Sequence, residues 1–178
     1  VTDWGYVLTQ GVGGNDASVL WTLPSFAPGL AVNVSYAGDS NDADSGVTAS
    51  SGISATYTIG DLRVGYGMND YEAGAEEKIV NVKYSIAGID LAYEQLTDTT
   101  AAGVDTDATN VSVAYGLGDL TLALEMSEVA SAGTTSADIT VVGAHYSLGG
   151  GVTAFIEQLN DSKDDSAETT ALGVTLSF

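Results

Sequence analysis

The stretch Thr169-Thr170-Ala171-Leu172-Gly173-Val174-Thr175-Leu176-Ser177-Phe178 decides the fold of this chain. Apolar residues alternate in it with small or polar ones, and this period of two is typical of a β-strand with one apolar and one polar face. An aromatic final residue is unusual in a water-soluble domain, because chain termini there usually fray into solvent. The stretch therefore predicts a strand whose oily face needs apolar surroundings.

Aromatic residues recur at the same place before five earlier turns. Each stands three residues before the Pro, Gly or Ala that opens the turn, and Phe178 continues the series at intervals of 27 to 36 residues. These intervals match the length of one hairpin, and amphipathic rings at one level of many strands favour a girdle at a membrane–water interface. The predicted girdle residues are Trp21, Tyr57, Tyr84, Tyr115, Tyr146 and Phe178.

Composition excludes several classes of protein. The 178 residues show no shift that would mark a second domain, so a single domain over 1–178 is expected. The absence of Cys excludes disulfides and thiolate chemistry, and four Lys and Arg against 24 Asp and Glu exclude a nucleic-acid partner. No apolar run approaches the roughly 20 residues of a spanning helix, which rules out a helical membrane protein.

Alternation and turn residues divide 17–178 into eleven strands. The mean hydropathy of +0.15 coexists with a net charge of −20 because the acids cluster between strands. Short turns alternate with longer acidic loops, a pattern typical of an all-β, antiparallel up-and-down transmembrane barrel. The predicted strands are 17–23, 30–37, 48–59, 62–71, 78–86, 89–97, 108–117, 120–128, 137–148, 152–160 and the terminal stretch.

Three segments carry a resemblance to a known family. They are Gly173-Val174-Thr175-Leu176-Ser177-Phe178, Tyr146-Ser147-Leu148 before Gly149-Gly150-Gly151-Val152, and Leu23-Pro24-Ser25-Phe26-Ala27-Pro28-Gly29-Leu30. From residue 17 to residue 178 the chain resembles the general diffusion porins of Gram-negative bacteria, especially the alphaproteobacterial kind. The resemblance implies an outer-membrane protein in contact with lipid, assembled as a homotrimer, with a water-filled channel for passive diffusion of small hydrophilic solutes and ions. In that family the terminal Phe is part of the signal read by the assembly machinery.

The segment 1–16 has two open interpretations. Porins of this family have 16 strands, and a long third loop folds into the pore after the fifth strand. Eleven strands would follow that loop, so 1–16 is the end of the constriction loop, with Asp3 and Asp16 as its candidate acids, and five strands precede Val1. Alternatively, 1–10 is a twelfth strand that completes a small barrel.

Ionisable residues stand opposite the apolar positions and are predicted to face water inside the barrel. Two interpretations are open. The wall groups form local ion pairs, for example Lys83 with Asp90 or Glu94, or the basic groups face loop acids across a constriction and create a transverse field, as in the family. The predicted pore-lining residues are Arg63, Lys83, Asp90, Glu94, Glu125, His145 and Glu157.

Other polar groups point less clearly to a function. Asp39, Asp42 and Asp44 offer oxygen ligands for calcium, but the stretch lacks the Gly and closing Glu of an EF-hand, so a solvated loop is the alternative. His145 has no catalytic partner at motif spacing, and Glu125 and Glu157 have no aromatic substrate platform beside them, which predicts neither an enzyme nor a cofactor beyond possible calcium. The alternative function is an acidic structural or adhesive surface protein, possibly calcium-binding.

Overall fold

A computed structural model of the chain describes residues 18–38, 49–72, 74–163 and 168–177. These residues form eleven antiparallel strands of one sheet in chain order, so the all-β prediction is confirmed. No helix in the described ranges is long and apolar enough to cross a membrane. The strands are β1 (Ser18–Thr22), β2 (Leu30–Ala37), β3 (Ser50–Ile59), β4 (Leu62–Tyr71), β5 (Glu76–Ile86), β6 (Ile89–Thr99), β7 (Asp105–Leu117), β8 (Leu120–Ser131), β9 (Thr134–Gly149), β10 (Val152–Asp161) and β11 (Thr169–Leu176).

The chain divides into two compact units. The first comprises 1–82 and 96–106, and the second comprises 83–95 and 107–178. Strands β1 to β4 belong to the first unit and β8 to β11 to the second, while β5, β6 and β7 contribute residues to both. Segment 1–10, the candidate twelfth strand, lies outside the described residues.

The connection between β8 and β9 differs from its prediction. The sequence suggested a loop over 129–136, but β8 continues to Ser131 and β9 starts at Thr134, leaving a two-residue turn. Ala132 has φ 49° and Gly133 has φ 75°, so both adopt the left-handed conformation that joins two twisted strands tightly. A register shift at Val129 and Ala130 accommodates the longer hairpin. The predicted strict alternation of short turns and long loops is therefore wrong at this connection.

Glycines hold the turn that precedes the last two strands. Gly149, Gly150 and Gly151 all have positive φ, a conformation that side-chain-bearing residues rarely adopt. At Gly151 a Cβ atom would lie 2.1 Å from the carbonyl oxygen of Ser177. The backbone N–H of Ser177 donates to the oxygen of Gly151 at 2.8 Å. The Gly-rich turn thus fixes the end of β11 against the start of β10.

The apolar side chains of the sheet are on its exposed face. Leu122 is 43% exposed, Val142 54% and Ile156 50%, although all three lie in strand interiors. Among the described residues with apolar side chains, only Ala37 is buried. A water-soluble protein buries such residues and rarely exposes large contiguous apolar patches. The described sheet therefore has no apolar core and needs an apolar surrounding phase.

On several strands the apolar series has the same length, counted along each strand from its own short-turn end. Counted from the short-turn end, four apolar residues at alternate positions are followed by a polar or acidic residue on the same face. Four such positions span about 20 Å of strand at about 3.3 Å per residue, slightly less than the apolar band of about 25 Å in outer-membrane barrels. On β4 the series is Leu62, Val64, Tyr66, Met68 and Asp70, and on β8 it is Leu120, Leu122, Leu124, Met126 and Glu128.

Candidate functional site: the polar face of the sheet

The polar face of the first unit carries amide and hydroxyl side chains that lie over glycines. Thr22 donates to Asn33 at 2.8 Å, and Asn33 in turn donates to Ser54 at 3.4 Å, which links three strands. A Cβ atom at Gly65 would lie 2.5 Å from Oδ1 of Asn81, so the amide rests against the backbone of β4. Because Gly65 has no Cβ atom, the polar side chain of Asn81 can lie flat against the strand. The polar face therefore stays low in profile and hydrophilic.

In the second unit the strand register aligns residues of the polar face in rows across β8, β9, β10 and β11. Each row contains one residue from each strand, and neighbouring rows are two residues apart along the chain. The three rows are Thr121, His145, Phe155 and Gly173, then Ala123, Gly143, Glu157 and Ala171, then Glu125, Val141, Leu159 and Thr169.

The structure brings two of the predicted pore-lining residues together. Nε2 of His145 donates to Oε1 of Glu157 at 3.1 Å, and both side chains are largely shielded from solvent. A Cβ atom at Gly143 would lie 3.2 Å from that nitrogen, so the glycine leaves room for the pair against β9. The imidazole also stacks on the ring of Phe155, with centroids 5.9 Å apart and planes inclined by 19°.

Phe155 was missed by the sequence analysis. Its ring lies over Gly173, where a Cβ atom would be 2.6 Å from Cζ of the phenyl ring. An aromatic residue therefore does accompany Glu157 on the same face, and the statement that none does is corrected. The signal was present in the chain, because Ala154 and Ile156 on the apolar face place Phe155 and Glu157 on the polar face.

The remaining predicted pore-lining residues are more dispersed. Arg63 on β4, Lys83 on β5 and Asp90 on β6 are exposed, whereas Glu94 is half-buried. Within the described residues no ion pair joins Lys83 to Asp90 or Glu94, and the Ser85 hydroxyl donates to Asp90 instead.

Glu125 on β8 accepts a hydrogen bond from an amide side chain on β7. Its Oε1 accepts a hydrogen bond of 3.1 Å from Nδ2 of Asn110, and both side chains lie on the polar face. Amide, hydroxyl and imidazole donors thus bind three of the predicted wall carboxylates, Asp90, Glu125 and Glu157. In these three contacts the donor is a hydroxyl, an amide or an imidazole group, and not Lys or Arg.

Five of the predicted girdle residues lie on the exposed apolar face near the short-turn ends of their strands: Trp21, Tyr57, Tyr84, Tyr115 and Tyr146. Their function as an interface girdle stays a prediction. The other proposed site residues, namely Phe178, the loop acids Asp3 and Asp16, and the calcium candidates Asp39, Asp42 and Asp44, lie outside the described residues. Within the described part, no group of three or more His, Asp or Glu side chains could hold a metal ion.

An antiparallel sheet with an exposed apolar face and a hydrogen-bonded polar face defines the class of transmembrane β-barrel proteins. Residues 1–167 match the family model described as Gram-negative porin. The chain therefore belongs to the Gram-negative porin family, and its location is the bacterial outer membrane. No curated protein sequence gives a significant match.

Solved structures share the fold at low sequence identity. A porin refined at 1.8 Å resolution is 20% identical with a TM-score of 0.75, over 89% of this chain and 60% of that one. OmpF of Salmonella typhi, in complex with daunomycin, is 15% identical with a TM-score of 0.73, over 89% and 61%. The anion-selective porin from Comamonas acidovorans is 16% identical with a TM-score of 0.65, over 91% and 55%. The chain thus spans about 60% of the length of these porins.

Proposed function

We propose that the protein forms a water-filled channel through which small hydrophilic solutes and ions diffuse passively across the outer membrane. The observation that carries this proposal is the inverted arrangement of the sheet, with apolar side chains exposed on one face and hydrogen-bonded polar side chains on the other. The apolar side chains of the first face are stable against lipid, whereas the charged side chains of the second face need contact with water. Membership in the porin family supports the same function.

The mechanism is physical rather than catalytic. Solutes are selected by the width of the channel and by the charges of its wall, without a covalent step. The predicted wall residues include the acids Asp90, Glu94, Glu125 and Glu157 and the cations Arg63 and Lys83, so acids outnumber cations among them. The assembled protein is proposed to be a homotrimer, as the resemblance to general porins implies.

Reconstitution of the native protein tests the channel. In a planar bilayer we expect stepwise current increases in potassium chloride, and liposomes containing the protein should swell in small sugars but not in large ones. Heat-denatured protein is the control. A folded protein that inserts into liposomes without conducting ions or admitting sugars would contradict the proposal.

A further inference from the structure

Phe155 is the only Phe, Tyr or Trp on the polar face of the described strands β8 to β11. Two further apolar residues, Val141 and Leu159, lie on the same face two rows away. Such a breach of the alternation of apolar and polar residues marks either a local packing need or a functional site. Packing over Gly173 accounts for the position of the Phe155 ring. It does not account for Val141 and Leu159 on the same face.

The row between Phe155 and Leu159 is built almost entirely of small residues. Ala123, Gly143 and Ala171 leave Glu157 as the one long side chain in it. The carboxylate therefore lies between an aromatic row and an aliphatic row. Together, Val141, His145, Phe155, Glu157 and Leu159 form what we call the inner patch.

The charge around the inner patch is negative. Strands β8 to β11 contain neither Lys nor Arg, whereas Glu125, Glu157 and Asp161 lie on their polar face. The carboxylates are hydrogen-bonded, Glu157 to His145 and Glu125 to Asn110. Amide and imidazole donors orient a carboxylate without adding a permanent positive charge. The patch is thus complementary to a cation with an apolar body.

We propose that the inner patch binds organic cations that carry an aromatic group, such as aryl-alkyl ammonium ions. The ammonium group lies at the carboxylate of Glu157, its alkyl groups contact Leu159 and Val141 in the row on one side, and the aromatic body stacks on Phe155 in the row on the other side. Aromatic rings attract each other in offset-stacked contact, and the carboxylate attracts the charge of the ammonium group. The inference rests on the proposed function, since the ligand reaches this face through the channel.

The test uses three probes on the native protein: benzyltrimethylammonium, tetramethylammonium and benzyl alcohol. In a planar bilayer each is added to potassium chloride, and block is expressed as a fraction of each variant's own current. Benzyltrimethylammonium should block at the lowest concentration, and Phe155→Leu and Glu157→Gln should each raise its half-blocking concentration by about fivefold, within the usual range for one aromatic contact or one exposed charge pair. Phe26→Leu, in the exposed turn after β1, and Glu128→Gln, on the apolar face, are the matched controls.

Three results would overturn the inner patch as a binding site. They are equal block by benzyltrimethylammonium and tetramethylammonium, unchanged block in Phe155→Leu and Glu157→Gln, or equal losses in the two controls. Calorimetric titration of folded protein in detergent with benzyltrimethylammonium gives a second readout that does not need conduction. Absence of potassium chloride current contradicts the channel, whereas absence of calorimetric binding to a conducting protein contradicts only the patch.

Discussion

At the residue scale, glycine decides how much space a wall side chain takes. Gly143 and Gly173 let His145, Glu157 and Phe155 lie against the strands instead of standing upright. Because neither glycine has positive φ, its role is the absence of a Cβ atom and not a special backbone conformation. The cost of adding a methyl group should therefore depend on the neighbour above it.

Gly173→Ala places a Cβ atom 2.6 Å from Cζ of Phe155, so the ring must move. We expect a loss of about 1 to 3 kcal/mol in the free energy of unfolding, as for other overpacked sites. Urea unfolding in detergent micelles measures this. In a Phe155→Ala background most of the loss should disappear. Gly116→Ala is the control, because its nearest neighbour would be 3.8 Å away, and equal costs at both glycines would refute the explanation.

Leu122 and Thr121 test the assignment of faces at adjacent positions. Leu122 is on the exposed apolar face, and Thr121 pairs with His145 on the polar face. Leu122→Arg should cost about 2 to 4 kcal/mol because the charge meets hydrocarbon, while Thr121→Arg should be nearly neutral. Unfolding in lipid vesicles compares the two, and similar losses would show that the faces are wrongly assigned.

At the scale of elements, strand identity could be predicted from alternation, and strand length could not. The turns at Gly60-Asp61, Ala87-Gly88 and Gly118-Asp119 were predicted from their residues and are confirmed as two-residue connections. The Ala132-Gly133 turn was missed although Ala87-Gly88 has the same residues and the same left-handed φ. The difference lies in the flanks, because Ser131 and Thr134 are polar whereas Ile86 and Ile89 continue the apolar alternation. The parts of β8 and β9 next to this turn are paired but consist mainly of polar residues. They show no apolar alternation, so the sequence gives no strand signal there.

The β8–β9 turn predicts opposite effects for two substitutions of Ala132. Asn adopts left-handed φ more readily than Ala, so Ala132→Asn should raise the free energy of unfolding by about 0.5 to 1 kcal/mol. A β-branched residue is strained there, so Ala132→Val should lower it by about 1 to 3 kcal/mol. Urea denaturation measures both, with Ala101→Asn as control. A neutral result for both would support the open loop over 129–136 instead.

At the scale of the whole molecule, the barrel class and the wall carboxylates were accessible from sequence, whereas the inner patch was not. Alternation assigns a residue to a face, but only the register between β9 and β10 shows that Phe155, His145 and Glu157 are neighbours. Alternation also does not decide between possible partners on one face. Lys83 and Asp90 share a face, yet the Ser85 hydroxyl is the donor to that carboxylate.

Charge predicts the selectivity of the assembled channel. The excess of 24 acids over four Lys and Arg should concentrate cations near the wall and the mouth. Under a potassium chloride gradient we expect a reversal potential of cation-selective sign, reduced at higher salt because the Debye length is about 10 Å at 0.1 M. An anion-selective porin with the same fold shows that fold alone does not set this sign. An anion-selective reversal potential would contradict the prediction.

Site-directed spin labelling measures most directly whether the sheet presents its apolar face to lipid and its polar face to water. The chain contains no Cys, so single Cys substitutions from 120 to 128 can be spin-labelled without background. In vesicles, collision with oxygen should peak at Leu120, Leu122, Leu124 and Met126, and collision with a water-soluble nickel chelate should peak at the positions between them. Uniform access to the nickel chelate, or a period of 3.6 residues, would contradict the account.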